Sequence, residues 1–369
     1  MPVYRDKTRQ TWYVKFSHKD RSGGRKGVFK SGFSTKGEAQ EWEMEQKYRY
    51  SGSAAIPIRV FSEVYLEDLA RQIRPTTIRR KQSMLRRWIL PQLGDRILTE
   101  IEAIDILRWQ NDLLSYRHPV RGSRLQESYL LAVHKELTAL MHHAETFYGL
   151  KDNPMDQVRK IGTRSQIKTS FWTKEQYLRF ADVIRPDRLR YICFEMLYWC
   201  GIRKGELRAL TREDFDWSKG TVRINKTLVS IGGKEVAGPP KDSGGHRNVV
   251  MPASLAAEVR AWIEENGFAP NERVFPVSVD CLNKALLKGA ETAGLPQIRV
   301  HDLRHSHVSL LIHLGFSAVA IGKRVGHRSS DITYAYAHMF PTEQTRIAED
   351  LAKLERGECY GGVQGKKGA

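Results

Sequence analysis

Residues 301–338 hold the stretch that decides the fold and chemistry of this chain: HDLRH at 301–305, an apolar run, GHRSS at 326–330 and TYAYAH at 333–338. The stretch concentrates histidine, arginine and tyrosine, and its carboxylates are only Asp302 and Asp331. A protease or a metal enzyme would call for a different set of side chains. Cations and donors bind a charged phosphate and a phenol can attack it, so this set suits chemistry on a phosphodiester.

The overall composition points to a polyanionic partner. The 369 residues allow two or three domains, and 60 Lys+Arg against 42 Asp+Glu give a formal charge of +18. Such an excess predicts attraction to a nucleic acid, with a solvated basic surface as the alternative. The four cysteines lack CxxC spacing, so neither a zinc site nor a disulfide framework is indicated. No window suits a bilayer span or a signal peptide, so we expect a cytoplasmic protein without a membrane partner.

Residues 1–52 read as a small three-stranded sheet followed by a helix. The alternation in TWYVKF at 11–16 and in KGVFK at 26–30 predicts strands, and helical spacing begins near Thr35. Basic and aromatic side chains interleave in these strands, so the aromatics can build a core while the cations face DNA. The candidate DNA-binding residues in this region are Lys15, Arg25 and Lys26.

Residues 59–155 follow a linker and have helical periodicity nearly throughout. A helix that opens at Pro75 carries a dense group of cations. These cations are compatible with an ordinary solvated face, but the charge bias of the chain favours contacts with DNA phosphates. The candidates are Arg79, Arg80, Lys81, Arg86 and Arg87.

Residues 171–356 form the largest region, and the pattern predicts a mixed α+β domain there. Thr173 is the expected cap of its first helix, and a later apolar helix runs into GIRKGEL at 201–207. Strands are expected at 221–224 and 248–252, with Lys241 in a β-hairpin loop between them, and helices resume at Ser254. Residues 357–369 are expected to be a mobile tail. The predicted fold class is thus multidomain, mainly α with small β parts.

Four separated segments supply side chains that fit one reaction. Arginine forks bind non-bridging phosphate oxygens, and an imidazole can hold a proton or a donor at the phosphate. A lysine can act as general acid for an alkoxide, and a tyrosine can form a covalent phosphoester. His301 and Arg304 are three residues apart, so they share a helix face. The candidate residues are Arg203, Lys241, His301, Arg304, His327 and Tyr336.

These blocks closely resemble the tyrosine recombinase family, in particular phage-type (lambda-like) integrases. The matching blocks are GIRKGEL at 201–207, HDLRH at 301–305, and GHRSS at 326–330 followed by YAH at 336–338. The resemblance implies an arm-type DNA-binding domain at 1–52 and a SAM-like core-binding domain at 59–155. It also implies a catalytic domain at 171–356 that contains a C-terminal exchange helix at 342–354.

The resemblance also implies a mechanism. Tyr336 would attack the scissile phosphate to give a 3′-phosphotyrosyl link and a free 5′-hydroxyl, and Lys241 would protonate the departing 5′ oxygen. Glu206 matches the acidic position that supports the first arginine. Neither a metal nor another cofactor is needed, because the phosphotyrosine stores the bond energy for resealing. The residues that would bind and stabilise the phosphate are Arg203, His301, Arg304 and His327.

The implied partners follow from the same family. Double-stranded DNA with attachment-type sites would be bound by four protomers, and DNA-bending accessory proteins would set the direction, in the nucleoid of a bacterial host. The product would be integration and excision of a mobile element such as a prophage. A type IB topoisomerase and a catalytically inactive DNA-binding regulator are the alternatives. The extra amino-terminal region favours an integrase over a chromosome-dimer resolvase.

Several assignments have rivals in the sequence. Tyr334 lies two residues before Tyr336, but the Tyr-Ala-His context and the nine-residue step from His327 favour Tyr336. Lys226 and Lys234 are alternatives to Lys241, because the lysine is often followed by threonine in the family and here Asp242 follows. The spacing of His301 and His305 could mimic a zinc pair, but the intervening residues lack the glutamate of that pattern.

Overall fold

The computed structural model describes residues 3–19, 24–50, 52–164, 170–231, 233–240, 245–326, 351–352 and 355–356. The chain divides into two compact units, Met1–Gln166 and Ile167–Ala369. In the described part, none of the helices combines the length and the apolar composition that crossing a membrane requires.

The amino-terminal unit begins with an antiparallel sheet in the order β1-β2-β3. The strands are β1 (Val3–Asp6), β2 (Thr11–Lys19) and β3 (Arg25–Phe33), and helix α1 (Lys36–Tyr50) packs against β2. Val14 and Ala39 are fully buried between them. The hydroxyl of Thr35 accepts from the backbone N–H of Glu38 at 3.1 Å, and this capping bond explains where the helix begins.

The remainder of the first unit is helical around one apolar core. Trp109 lies in this core and donates its indole N–H to the carbonyl of Trp88 at 2.7 Å. Pro75 occupies the first turn of its helix, where no N–H is needed, and Gly149 ends the last helix with φ 73°. The helices are α2 (Ile58–Ala70), α3 (Pro75–Met84) with a π-helical turn (Leu85–Ile89), α4 (Leu90–Leu93), α5 (Ala103–Ser115) and α6 (Glu127–Tyr148).

The second unit combines helices with two small sheets. One sheet has the order β4-β5-β8, and β6 pairs with β7 as a separate antiparallel hairpin. The strands are β4 (Phe215–Asp216), β5 (Thr221–Ile224), β6 (Thr227–Ile231), β7 (Lys234–Gly238) and β8 (Arg247–Val250). The helices are α7 (Lys174–Ile184), α8 (Arg188–Trp199), α9 (Lys204–Leu207), α10 (Ala253–Asn266), α11 (Val279–Thr292), α12 (Asp302–His313) and α13 (Ala318–Val325).

Helix α8 lies at the centre of the apolar core of the second unit. Tyr198 of α8 stacks on Tyr177 of α7 with ring centroids 3.6 Å apart, and both rings are fully buried. Thr173 caps α7 through a reciprocal capping box with Gln176, as the sequence predicted. Helix α12 packs against α8, so the HDLRH block is held against the segment that leads into Arg203.

The predicted fold class is confirmed: a three-stranded sheet with one helix, a helical region and a mixed α+β region follow one another. One local detail differs from the sequence interpretation. The two strands expected on either side of Lys241 pair antiparallel as β5 and β8, and the connection between them contains a further hairpin, β6–β7, that the sequence interpretation did not assign; Lys241 itself lies outside the described residues. Strand β7 is almost wholly exposed, so its sequence lacks the alternation of apolar and polar residues that predicts a strand.

Candidate active site

Arg203 lies at the amino-terminal end of the short helix α9, directly after a sharp turn of the chain. The turn depends on Gly201, whose φ of 61° lies in the left-handed region. A Cβ on this residue would stand 2.4 Å from Cδ2 of His307. The left-handed backbone conformation and this close contact therefore each favour glycine over every other residue at this position. The backbone geometry that presents Arg203 is therefore set by the close packing of α12 beneath the turn.

Glu206 is the anion at the centre of the site, and it is 1% exposed. Its carboxylate accepts hydrogen bonds from the backbone N–H of Arg203 at 2.9 Å and from Nη1 of Arg203 at 2.8 Å. Two further bonds come from Arg247, at 3.2 Å and 2.8 Å. Burial raises the pKa of Glu206, but the hydrogen bond and charge of Arg247, together with the hydrogen bonds from Arg203, outweigh it and hold the pKa below its ordinary value. Glu206 is therefore a carboxylate at neutral pH.

Arg304 lies on the first turn of α12 and is 2% exposed. Its Nη1 donates to the carbonyl of Gly201 at 2.7 Å, and its Nη2 donates to the carbonyl of Val325. Carbonyl oxygens carry no formal charge, so these bonds orient the guanidinium without cancelling its positive charge. Arg304 thereby joins the turn before Arg203 to the chain that leads into His327.

His301 lies at the amino-terminal end of α12 and remains exposed, with its ring edge-on to that of His305. The protein atoms around the imidazole, and then the charges of His305 and Arg304, lower the pKa of His301 to about 4. The imidazole is therefore neutral at physiological pH. A neutral imidazole can donate one hydrogen bond to a phosphate oxygen without a proton being taken up first.

The structure brings Arg203, Glu206 and Arg304 together around residues 325–326. Nη2 of Arg203 donates to the carbonyl of Gly326 at 3.3 Å, and Gly326 directly precedes His327 in the chain. Both arginines thus hold the backbone immediately before His327. The remaining candidates lie outside the described residues: Lys241, His327, Tyr336 and the rival Tyr334.

The two alternative lysines occupy different settings. The ammonium of Lys226 lies 2.6 Å from Oδ2 of Asp214, a fully buried carboxylate, and donates to Oγ1 of Thr211 at 2.8 Å. Lys234 is exposed at the start of β7. Lys226 therefore stabilises the turn before β4 by an ion pair, which gives it a role in the fold that does not require DNA.

Within the described ranges, no group of three or more histidine, cysteine, aspartate or glutamate side chains is placed to hold a metal ion. Asp302 directly follows His301, but the carboxylate of Asp302 forms an ion pair with Arg299, whose Nη2 lies 2.8 Å from Oδ1. Its pKa is accordingly held below the ordinary value: burial raises it, and the bonds and charge of Arg299 overcome that effect.

The predicted DNA-binding cations are exposed with one exception. Lys81 donates to a carboxylate oxygen of Glu136 at 3.0 Å and to the hydroxyl of Tyr65 at 2.8 Å, and Glu136 is itself buried. Lys81 therefore balances a buried charge inside the helical region, and its contact with DNA stays a prediction. The exposed candidates are Lys15, Arg25, Lys26, Arg79, Arg80, Arg86 and Arg87.

Sequence interpretation missed two arginines at the site. Arg247 shares Glu206 with Arg203, and Arg324 donates its Nε–H to Nε2 of His307 at 3.1 Å. The only local signal for Arg247 is a cation at the start of an apolar strand, which is a common pattern on a solvated surface. Arg324 lies three residues before His327, and the basic end of α13 reads as ordinary helix capping.

Comparisons with known proteins agree across the chain. The phage integrase family model matches residues 170–343, a model of the SAM-like amino-terminal domain of phage integrases matches 58–114, and an arm DNA-binding domain model matches 2–48. The ICEBs1 integrase of Bacillus subtilis is 26% identical over 350 residues, which cover 87% of this chain and 91% of that protein.

Two solved structures share the fold. The Tn1549 transposon integrase in complex with transposon right end DNA has a TM-score of 0.63 at 18% identity, with 79% of this chain and 99% of that one covered. A lambda integrase tetramer bound to a Holliday junction has a TM-score of 0.55 at 17% identity, with 89% and 95% covered. At these identities the likeness concerns the fold alone.

Proposed function

Because the chain belongs to the phage integrase family of tyrosine recombinases, we propose that it is the site-specific recombinase that integrates and excises a mobile element such as a prophage. The observation that carries the proposal is the paired arrangement of Arg203 and Arg304. Both guanidinium groups hold the backbone that leads into His327, and Glu206 fixes one of them from a buried position.

The proposed chemistry follows from these groups. Tyr336 attacks the scissile phosphate: its phenolic oxygen loses its proton to the solvent and forms the new bond to phosphorus, and the bond to the 5′ oxygen breaks. The negative charge that develops on the phosphate meets preorganised cations, which costs no reorganisation during the reaction. Lys241 donates the proton that the departing 5′ oxygen needs. The groups that bind the phosphate in this proposal are Arg203, His301, Arg304 and His327.

The proposed domain division has three parts and a tail. Residues 1–52 form the arm-type DNA-binding domain, 59–155 the SAM-like core-binding domain and 171–356 the catalytic domain, with the exchange helix at 342–354. Three family models with consecutive matches support this division. The segments 342–350, 353–354 and 357–369 lie outside the described residues, so the exchange helix and the tail rest on the sequence.

The proposed partner is double-stranded DNA at attachment-type sites, bound by four copies of the chain in the host nucleoid with the help of DNA-bending proteins. The charge of +18 supports a polyanionic partner. A lambda integrase of the same fold is a tetramer on a Holliday junction, which supports the same assembly for this chain. The exposed arginines of α3 are the proposed phosphate contacts of the helical region.

Covalent trapping tests the proposal. The chain is incubated in EDTA with a nicked duplex that carries the end sequence of the element encoding it, and the products are separated on a denaturing gel. We expect a protein–DNA adduct from the parent chain and from Tyr334→Phe, the matched neighbour, and none from Tyr336→Phe. An adduct that survives in Tyr336→Phe and disappears in Tyr334→Phe would reassign the nucleophile.

The trapping assay also separates the rival functions. A topoisomerase would relax supercoiled DNA without joining two sites, so recombination between two attachment sequences is measured in parallel. Tight DNA binding with no adduct from any variant would identify the chain as a DNA-binding regulator instead of a recombinase.

A further inference from the structure

Three aromatic side chains form a row across the amino-terminal sheet, one from each strand. Tyr4 of β1 lies directly opposite Tyr13 of β2 in the strand register, and the ring of Phe29 of β3 lies next to that of Tyr13. The ring centroids are 5.3 Å apart in the first pair and 5.8 Å apart in the second. We call Tyr4, Tyr13 and Phe29 the aromatic row.

The aromatic row lies on the face of the sheet that is turned away from α1. Val14, which directly follows Tyr13, is fully buried on the side of α1, and successive side chains of a strand point to opposite faces. Tyr4 is 47% exposed and Phe29 is 63% exposed. The sequence interpretation allowed the aromatics of these strands to build the core, whereas the structure places these three on the open face. A contiguous patch of exposed apolar rings marks an interaction surface.

Cations on the same face indicate the class of partner. Lys15 stands opposite Phe29 in the strand register, and both side chains are exposed. Arg25 precedes Phe29 by four residues on β3, so its exposed side chain points to the same face. Apolar rings between cations suit a polyanion that also presents apolar groups. A DNA duplex does so in its major groove, where the methyl groups of thymine lie between the two phosphate backbones.

The aromatic row also has the dimensions of that groove. Its three ring centroids span at most about 11 Å, and the major groove is about 12 Å wide. The neighbouring positions on the open face are small, so the rings project from the sheet; these positions are Ser17, Gly27 and Ser31. Tyr4 and Tyr13 stack on each other with an interplanar angle of 26°, so one face of each ring is already covered. The ring edges are therefore better placed to meet methyl groups than the ring faces are to stack on bases.

We propose that the aromatic row reads thymine in arm-type DNA: its rings contact thymine methyl groups in the major groove, and Lys15 and Arg25 contact the flanking phosphates. The aromatic row is then a specificity determinant, whereas the cations supply affinity that does not depend on base sequence. This inference rests on the proposed recombinase function, because it takes residues 1–52 as the arm-type DNA-binding domain and names the base that this domain selects.

The experiment compares two duplexes that differ only in a methyl group. The probe is the end sequence of the element encoding the chain, taken outside the cleavage region and prepared either with thymine or with uracil in place of every thymine. The dissociation constant of the full chain is measured for each duplex by fluorescence anisotropy. Burying one methyl group changes a dissociation constant by about fourfold, so contact with one or two methyl groups predicts binding to the uracil duplex that is weaker by about four- to 15-fold.

Three variants assign the preference to the aromatic row. In the double variant Tyr4→Ser with Phe29→Ser, the dissociation constants for the two duplexes should agree within about twofold, because the rings that meet the methyl groups are gone. Lys15→Gln should weaken binding to both duplexes equally and release about one counterion fewer, with the preference for thymine unchanged. The matched control is Phe147→Ser: Phe147 is 64% exposed, nearly as much as Phe29, but lies on α6, so the preference should remain.

The outcomes separate this inference from the proposed function. Equal affinity of the parent chain for the two duplexes would overturn the role of the aromatic row, and an adduct in the trapping assay would then leave the recombinase function standing. A preference for thymine that survives in the double variant would also overturn it, because the preference would then arise elsewhere. Tighter binding to the single strand than to the duplex would make the aromatic row a base-stacking platform instead. No adduct and no binding to either duplex would refute the recombinase function and the role of the aromatic row together.

Discussion

Gly201 offers the sharpest test of how the site is built, because one methyl group should disturb both the fold and the chemistry. In Gly201→Ala the new Cβ would stand 2.4 Å from Cδ2 and 3.0 Å from Cγ of His307. The ring cannot easily turn away, since His307 is 2% exposed and Arg324 holds its Nε2 at 3.1 Å. The carbonyl of Gly201 accepts from Arg304 at 2.7 Å, so a shift of this turn would also move an arginine that we propose binds the phosphate.

Two costs add up for Gly201→Ala. A left-handed conformation costs an L-residue about 1–2 kcal/mol, and φ here is 61°. Forcing an extra methyl into a packed core costs about 1–3 kcal/mol more. We therefore expect a loss of about 2–5 kcal/mol in the free energy of unfolding, and each kcal/mol lowers the unfolding temperature of a unit this size by about 2–4 °C.

The matched control is Gly220→Ala. Gly220 has φ 60°, nearly the same as Gly201, but no atom lies within 4 Å of its added Cβ. Its cost should be the conformational term alone, about 1–2 kcal/mol, with the rate of adduct formation unchanged. Urea unfolding of the full chain and single-turnover cleavage are measured for both variants. Equal losses of stability in the two variants would refute the contact between Gly201 and His307, and a normal cleavage rate in Gly201→Ala would refute its role in placing Arg304.

Two further predictions concern the charged groups. Burial, and then the charge of Arg324, lowers the pKa of His307 to about 3. Below the ordinary histidine pKa of about 6.5 the unfolded chain therefore takes up a proton that the folded chain does not, and the free energy of unfolding should fall by about 2 kcal/mol between pH 7 and pH 5. In urea titrations at both pH values, His307→Gln should reduce this pH dependence of stability. An unchanged slope in that variant would contradict the assignment. Lys81→Met should lower the free energy of unfolding by about 3–5 kcal/mol, because it leaves Glu136 buried and unpaired. The exposed Arg86 is the comparison: Arg86→Met should change the free energy of unfolding by less than about 0.5 kcal/mol. It should also reduce the number of counterions released on DNA binding, measured from the salt dependence of the affinity, by about one. A normal unfolding curve for Lys81→Met would show that the ion pair contributes little.

Much of the local structure can be predicted from the sequence alone. Thr173 begins its helix with the predicted cap, and the helical periodicity between residues 59 and 155 became α2 to α6. These features depend on hydrogen bonds and packing between residues three or four apart, so a short window of sequence contains the whole cause. Arg203, His301 and Arg304 were likewise visible as candidates, because their chemistry depends on residue type and spacing, whereas Arg247 and Arg324 were not.

Long-range pairing could not be read in the same way. Glu206 and Arg247 are 41 residues apart, and Lys81 and Glu136 are 55 residues apart. In the sequence, Lys81 has the same appearance as Arg79 and Arg86, which are exposed. Whether a cation faces solvent or a buried carboxylate depends on which helix packs against it, and that is a property of the assembled core.

By itself, the sequence determined the family, the order of the regions and the residue types available for phosphoryl transfer, because local periodicity and motif spacing are written along the chain. Only the tertiary structure decided that Glu206 serves two arginines, that Arg304 is oriented by the carbonyls of Gly201 and Val325, and that Lys81 belongs to the interior. The physical reason is that burial and charge balance arise from contacts between segments far apart in sequence, and these contacts exist only after the chain has folded.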